Sequence, residues 1–196
     1  MGLTEICLKY RTNKCRYHSY TDVYDELFCD FIVETAASGR TITLLEIGVL
    51  NGGSLKMWQE YLRVGSTVIG MDHKPGCKQH EDVDKDIYVY VGSQDSGKDL
   101  NQLVADFAPF DIIIDDGSHR SSSQKKSFTH LWDSVRSGGF YCIEDLFWQS
   151  KNPDYYIDDG VSTIDFMANL ARNMQVGRNS IRSITIFQSL IIVQKK

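Results

Sequence analysis

The chain has 196 residues, of which 42% are hydrophobic and 24% charged, and a formal net charge of −5. That size suits one soluble domain able to bury roughly two-thirds of its unfolded surface. The acidic balance argues against nucleic acid as a partner, because phosphate binding needs a basic face. No apolar run is long enough to cross a bilayer, and the N-terminus carries no signal-peptide pattern.

In chain order, a short helix is predicted over Leu3 to Tyr10. A longer one follows in YTDVYDELFCDFIVETAA, where Tyr20, Val23, Tyr24, Leu27, Phe28 and Phe31 fall at helical spacing. Thr21 or Asp22 is the expected cap, and Ser38-Gly39-Arg40 the stop. Strands and helices then alternate. Strand Thr41–Ile47 precedes helix Leu55–Leu62. Strands Thr67–Met71 and Ile87–Val91 come next, then helix Leu100–Phe107 and strand Asp111–Ile114. Helix Gln124–Val135 and strand Phe140–Ile143 complete the alternation. This order implies βαβ units and a parallel sheet. After a helix over Val161–Met174, Ser183–Phe187 and Leu190–Val193 read as strands joined at Gln188-Ser189, close enough only for antiparallel pairing. The expected fold is therefore α/β and Rossmann-like: a mostly parallel seven-stranded sheet ending in an antiparallel hairpin, with helices on both faces. Residues 1–38 are expected to form a helical cap on a single domain spanning 39–196.

Cys7, Cys15, Cys29, Cys77 and Cys142 are odd in number and include no C-x-x-C pair. No disulfide framework is expected, and a reducing, cytoplasmic compartment is. His73, Cys77 and His80 have spacings that could converge on a metal, although HKPGCKQH also reads as an ordinary turn-rich loop.

The chemistry gathers where strands end. LLEIGVLNGGSLKMW is an apolar strand, then Glu46, Gly48, Gly52, Gly53 and Ser54, then a helix. Its Glu-x-Gly-x-x-x-Gly spacing lacks the Gly-x-Gly-x-x-Gly of a pyrophosphate cradle. An acidic strand tip suits a ligand bearing an ammonium group. VIGMD places Asp72 at the end of the next strand, where a carboxylate can accept from ribose hydroxyls. Ammonium and ribose together describe S-adenosylmethionine. Further on, the apolar runs DIIIDDGSH and FYCIED end in Asp115, Asp116, Glu144 and Asp145, with His119 beside them. Carboxylates so crowded need a cation, a proton or a donor-rich ligand. Asp115 or Asp116 could instead cap the helix beginning near Ser121, and Glu144 could pair with Arg120 or Lys125. Phe147, Trp148, Tyr155 and Tyr156 offer aromatic faces suited to a sugar ring, or to packing on their own core. His18, Tyr20 and Tyr24 could line the crevice as a lid or simply pack the long helix.

The order LLEIGVLNGGS, VIGMD, VGSQDS, DIIIDDGSH, RSGGFYCIEDL and the terminal hairpin resembles class I S-adenosylmethionine-dependent methyltransferases. DDGSH and IEDL, preceded by KYRTNKCRYHSYTDVYDELF, are similar to the metal-dependent sugar O-methyltransferases of macrolide biosynthesis (mycinamicin and tylosin type) and relatives acting on rhamnosyl groups. This resemblance implies that Glu46, Gly48, Asn51, Gly52 and Ser54 surround the methionine part of the donor and that Asp72 holds the ribose. Ser93 and Gln94 would lie near the adenine, with Asp115 also in the donor-binding set. It further implies Asp116, Glu144 and Asp145 as ligands of Mg²⁺ or another divalent cation, and His119 as general base. The N-terminal motif usual in relatives, Gly-Thr-Asp-Lys-Gly, stands here as Arg11-Thr12-Asn13-Lys14-Cys15, and no role is drawn from it.

The implied activity is methyl transfer to a hydroxyl of a sugar, a deoxyhexose such as rhamnose in a glycoside. A small molecule or glycan would be the acceptor, and the chain could work as a homo-oligomer or within a larger glycan-building polypeptide. Two other functions compete. A Mg²⁺-dependent O-methyltransferase of a catechol-like phenol would be competed by catechols rather than glycosides. A silent S-adenosylmethionine-binding module would transfer nothing.

Overall fold

The computed structural model describes residues 2–15, 18–62, 64–174 and 180–196. Two compact units divide the chain, Met1–Val91 and Gly92–Lys196.

The first unit holds α1 (Leu3–Tyr10), α2 (Tyr20–Ala37), β1 (Thr43–Ile47), α3 (Gly53–Tyr61), β2 (Thr67–Asp72) and β3 (Ile87–Val91). β2 lies between β1 and β3 and pairs with both in parallel, in the registers Leu45↔Ile69 and Gly70↔Val89. The long helix buries Tyr20, Tyr24, Phe28 and Ile32, one residue per turn. Tyr24 stacks on Phe28 at 5.1 Å and meets Trp58 of α3 edge-on at 5.5 Å, which places His18, Tyr20 and Tyr24 in an aromatic packing row.

Two expectations are corrected in this unit. The residue flanking α2 is Ser19, in the left-handed rather than the extended conformation of a capping residue and without a side-chain cap bond, while the first N–H of the helix, that of Tyr20, reaches the carbonyl of Lys14 at 2.9 Å. Thr21 and Asp22 lie inside the helix and bond Thr4 Oγ1 at 2.8 and 2.9 Å. Cys7 and Cys15 form a disulfide, where no disulfide framework is expected from the cysteine pattern. Arg11 ends α1 in the left-handed conformation (φ 56°) and turns the chain back, so the two Cα atoms come within 6.2 Å.

The second unit holds α4 (Gly97–Phe107), β4 (Phe110–Asp115), α5 (Ser121–Leu131), β5 (Val135–Ile143), α6 (Phe147–Lys151), α7 (Pro153–Tyr156), α8 (Thr163–Met174), β6 (Ile181–Ile186) and β7 (Ile191–Lys195). β4 and β5 are parallel, with Asp115 opposite Ile143; β7 is antiparallel to both β5 and β6. Every residue of β4 is buried, as a continuous apolar run in a parallel strand requires.

The boundary between α5 and β5 differs from expectation. The helix stops at Leu131, a single tight turn covers Trp132–Ser134, and the strand begins at Val135, five residues before Phe140. The Ser-Gly-Gly stretch falls where β5 jumps register against β4, from Phe110↔Val135 to Ile112↔Phe140, and backbone approaches it closely: a Cβ on Gly139 would stand 2.5 Å from the carbonyl oxygen of Asp111. The seven strands make a mostly parallel sheet finished by antiparallel strands and flanked by helices. No helix among the described residues is long and apolar enough to cross a membrane.

Candidate active site

In the first unit the turn from β1 to α3 forms the glycine loop. Gly48 (φ 97°) donates its N–H to Met71 at 2.8 Å, and Leu50 (φ 48°) projects outward at 76% exposure. Gly52 has φ 69°, and a Cβ there would lie 2.5 Å from Cγ of His80. Asn51 Oδ1 accepts the N–H of Gly53 at 3.1 Å, at the start of α3.

Glu46 is fully buried at the tip of β1. It accepts from Ser54 Oγ at 2.5 Å and from Trp58 Nε1 at 3.3 Å, and it pairs with Lys14 Nζ at 3.1 Å. Lys14 is 1% exposed. The ammonium next to this carboxylate is therefore internal, supplied by a residue to which sequence reasoning gave no role. One signal for it was present: Thr12 and Lys14 are the two residues the Arg11–Cys15 segment shares with the usual motif.

Asp72 accepts the N–H groups of Val49 at 3.0 Å and Leu50 at 3.4 Å through Oδ2, and that of Lys74 at 2.9 Å through Oδ1. Burial pushes its pKa up, but these backbone donors and the Cys77 thiol outweigh that and hold it below the usual carboxylate range. The carboxylate expected at the ribose thus also shapes the glycine loop. His73, Cys77 and His80 form no metal-holding group among the described residues; the Cys77 thiol is buried and donates to the Leu50 carbonyl at 3.8 Å.

In the second unit the parallel pairing of β4 and β5 runs on past Asp115, whose carbonyl accepts the N–H of Glu144 at 3.0 Å. The loops leaving the two strands are thereby held side by side. One ligand atom each from Asp116, His119 and Asp145 lies within 4.8 Å of the other two. His119 Nε2 stands 3.8 Å from Asp145 Oδ2, and Nδ1 is buried with no hydrogen-bond partner among the described residues. His119 and Asp145 both have φ 60°, a left-handed backbone that non-glycine residues adopt at a cost. Oxygen donors with one imidazole suit a divalent cation. Glu144, 1% exposed, stands outside this convergent group.

Asp115 is fully buried. Burial raises its pKa to about 7, against the lowering pull of the Gln94 and Gly117 hydrogen bonds. Gln94 Nε2 donates to Asp115 Oδ1 at 3.2 Å and to Ser127 Oγ at 3.0 Å, while Gln94 Oε1 accepts the N–H of Ser118 at 2.8 Å. Gln94 and Asp115 thus clasp the loop that carries Asp116 and His119. Ser93 donates its N–H to Asp99 Oδ2 at 3.0 Å and accepts the N–H of Asp95 at 3.2 Å. Neither Asp115 nor Asp116 caps α5: Asp158 accepts the N–H of Ser122 at 3.1 Å, and Asp159 accepts the Ser121 hydroxyl at 3.0 Å. The cations proposed for Glu144 are paired there too, Arg120 with Asp158 at 3.8 Å and Lys125 with Asp159 at 2.6 Å. Phe147, Trp148, Tyr156 and Tyr155 form a run of ring contacts at 4.6, 5.6 and 4.8 Å, with the Arg120 guanidinium 4.5 Å above the Tyr155 ring.

The model of the methyltransferase domain family matches residues 45–146, about half of the chain. The chain is 29% identical over its whole length to the 8-demethyl-8-alpha-L-rhamnosyl tetracenomycin-C 2'-O-methyltransferase of Streptomyces olivaceus, covering 55% of that protein. It is 37% identical over 71% of its length to the 3'-O-methyltransferase acting on the 2-methoxy-rhamnosyl tetracenomycin of the same organism, covering 35% of it. The structure superposes with a TM-score of 0.84 and 28% identity on MycE, a methyltransferase of the mycinamycin biosynthetic pathway solved with Mg, SAH and mycinamycin VI. That match takes in all of the chain and 54% of MycE. The chain thus spans between about a third and about a half of the length of these three relatives. The chain belongs to the methyltransferase domain family, as a class I S-adenosylmethionine-dependent member similar to sugar O-methyltransferases such as those acting on rhamnosyl tetracenomycins.

Proposed function

We propose that this protein transfers a methyl group from S-adenosylmethionine to a hydroxyl of a sugar, a deoxyhexose such as rhamnose within a glycoside. The observation that carries the reading is the convergence of Asp116, His119 and Asp145 on the loops leaving β4 and β5, in a chain whose relatives methylate rhamnosyl groups. Residues 1–38 act in this reading as a helical cap on the methyltransferase domain, a role supported by the buried pairing of Lys14 with Glu46.

Asp116 and Asp145 are the residues that would hold Mg²⁺, the metal present with SAH in the MycE structure, and Glu144, expected as a third ligand, would have to turn toward them from outside their group. Bound there, the cation supplies a Lewis acid that makes an acceptor hydroxyl easier to deprotonate. His119 takes the hydroxyl proton at Nε2, the ring nitrogen facing Asp145. The freed electron pair attacks the methyl carbon in line, the carbon–sulfur bond breaks, and the sulfonium leaves as the neutral thioether of S-adenosylhomocysteine. The sulfonium is its own electrophile, so positioning is the protein's main contribution. The glycine loop, Asp72 and Glu46 belong to the donor-binding set, Lys14 keeping the Glu46 charge neutralised.

The test is incubation of the chain with S-adenosylmethionine, Mg²⁺ and an L-rhamnosyl glycoside, read by mass spectrometry, alongside a catechol. A gain of one methyl on the sugar supports the reading. Methylation of the catechol alone, or of neither, overturns it.

A further inference from the structure

Three uncharged side chains from three helices meet beside the acidic cluster. Gln124 of α5, Gln149 of α6 and Thr163, the first residue of α8, are all buried. Gln149 Nε2 lies 2.8 Å from Thr163 Oγ1, 2.9 Å from Gln124 Oε1 and 3.3 Å from the main-chain oxygen of His119. Its Oε1 accepts the N–H of Thr163 at 2.9 Å. The Thr163 hydroxyl donates to Gln124 Oε1 at 2.8 Å, and Gln124 Nε2 donates to the main-chain oxygen of Glu144 at 3.1 Å. One continuous set of hydrogen bonds therefore runs from the backbone of His119 to the backbone of the residue preceding Asp145.

The ends of that set matter. His119 and Asp145 are the two members of the cluster with left-handed backbone, and such conformations persist only when their surroundings over-determine them. Apolar side chains of similar bulk would fill the same space but take away the Gln149 donor to the His119 carbonyl and the Gln124 donor to the Glu144 carbonyl. Gln149 also shares α6 with Phe147 and Trp148, so the clamp ties the aromatic segment to the cluster.

We propose that Gln149, acting with Gln124 and Thr163, is a positioning residue that locks the loops after β4 and β5 in one mutual register and thereby sets the spacing of the metal-holding side chains. The proposal deepens the reading of Asp116, His119 and Asp145 as a divalent-metal site and rests on it. Gln149→Leu removes both donors and the acceptor at similar volume. Thr163→Ser keeps the hydroxyl and the N–H, and Gln102→Leu alters an exposed glutamine whose amide bonds Asp106 on α4. Two measurements on the full chain decide. Mn²⁺ titration followed by electron paramagnetic resonance reads the site, and hydrogen exchange in EDTA reads residues 116–120 and 144–148 without metal.

For Gln149→Leu we expect Mn²⁺ affinity to fall about tenfold or more, with faster exchange in both segments, while Thr163→Ser and Gln102→Leu behave as wild type. Wild-type Mn²⁺ affinity in Gln149→Leu overturns the clamp. If the wild type itself binds no Mn²⁺, the metal reading falls, and exchange alone judges the clamp: unchanged exchange in Gln149→Leu refutes it, faster exchange in both segments upholds it. Should Gln149→Leu not fold, Thr163→Val, which deletes the hydroxyl and keeps the N–H, is judged by the same outcomes.

Discussion

Lys14 Nζ and Glu46 Oε1 are paired at 3.1 Å with both side chains out of contact with solvent. A buried pair of this kind is costly to break from one side, because the surviving charge has no water to turn to. Lys14→Met is therefore expected to destabilise the fold by about 3–5 kcal/mol, read by denaturant unfolding. Lys14→Met combined with Glu46→Gln should regain much of that loss. A single variant as stable as wild type would show that the Glu46 charge is neutralised by other means.

His119→Ala should lower kcat by about 10²- to 10⁴-fold, the usual contribution of a general base, and leave S-adenosylhomocysteine affinity unchanged. The pairing of a methyl-transfer assay with isothermal titration separates the two quantities. An active variant would remove His119 from the proton transfer.

Removal of divalent cations should silence the enzyme reversibly. With EDTA, turnover is expected to vanish and to return with Mg²⁺, and Asp145→Asn should bind Mn²⁺ more weakly than wild type while keeping its affinity for S-adenosylhomocysteine. Full activity in EDTA would rule out a metal role for Asp116 and Asp145.

Gly52 carries two separable constraints. Its left-handed φ of 69° makes a Cβ costly by about 1–2 kcal/mol, and the same Cβ meets the His80 ring. Gly52→Ala should lower both the thermal midpoint and donor affinity. Adding His80→Gly, which removes both the ring and the His80 Cβ that would stand 2.7 Å away, should recover the steric part and leave the backbone part, so complete recovery in the double variant would argue against backbone strain.

Asp72 gives a pH prediction. Its native pKa is held below the ordinary range, so the carboxylate contributes stability at neutral pH that is lost as pH falls through the native value. Asp72→Asn should be less stable than wild type at neutrality, and the gap should narrow in acid. Parallel stability curves at all pH values would mean that the three backbone donors do not depend on the charge.

Much of this fold is legible in the residues because local pattern and tertiary environment agree. The apolar runs ending at Ile47, Asp72 and Asp115 become buried parallel strands, and the periodicity of Tyr20, Tyr24 and Phe28 becomes the packed face of α2. Where the two disagree, pattern fails. Ser137-Gly138-Gly139 has the composition of a loop and lies where β5 jumps register against β4, between the pairs Phe110↔Val135 and Ile112↔Phe140, with Gly139 so close to the Asp111 carbonyl oxygen that a Cβ would stand 2.5 Å from it. At the site, Asp116, His119 and Asp145 converge because adjacent parallel strands deliver their tails together, which alternation of strands and helices already implies. The clamp of Gln124, Gln149 and Thr163 has no such local trace. Its members lie 14 to 39 residues apart and none belongs to a charged or glycine-rich motif. Lys14 was hidden for another reason: its flanking glycines are replaced by Arg11 and Cys15, so the segment loses its usual outline while keeping its ammonium.

The sulfur bridge between Cys7 and Cys15 ends immediately after that lysine. It staples the span carrying the positive charge onto the first helix, so reduction of the bridge is expected to loosen the hold of Lys14 on the tip of β1. Preparations made with and without a reductant should therefore be compared in any ligand titration on this protein.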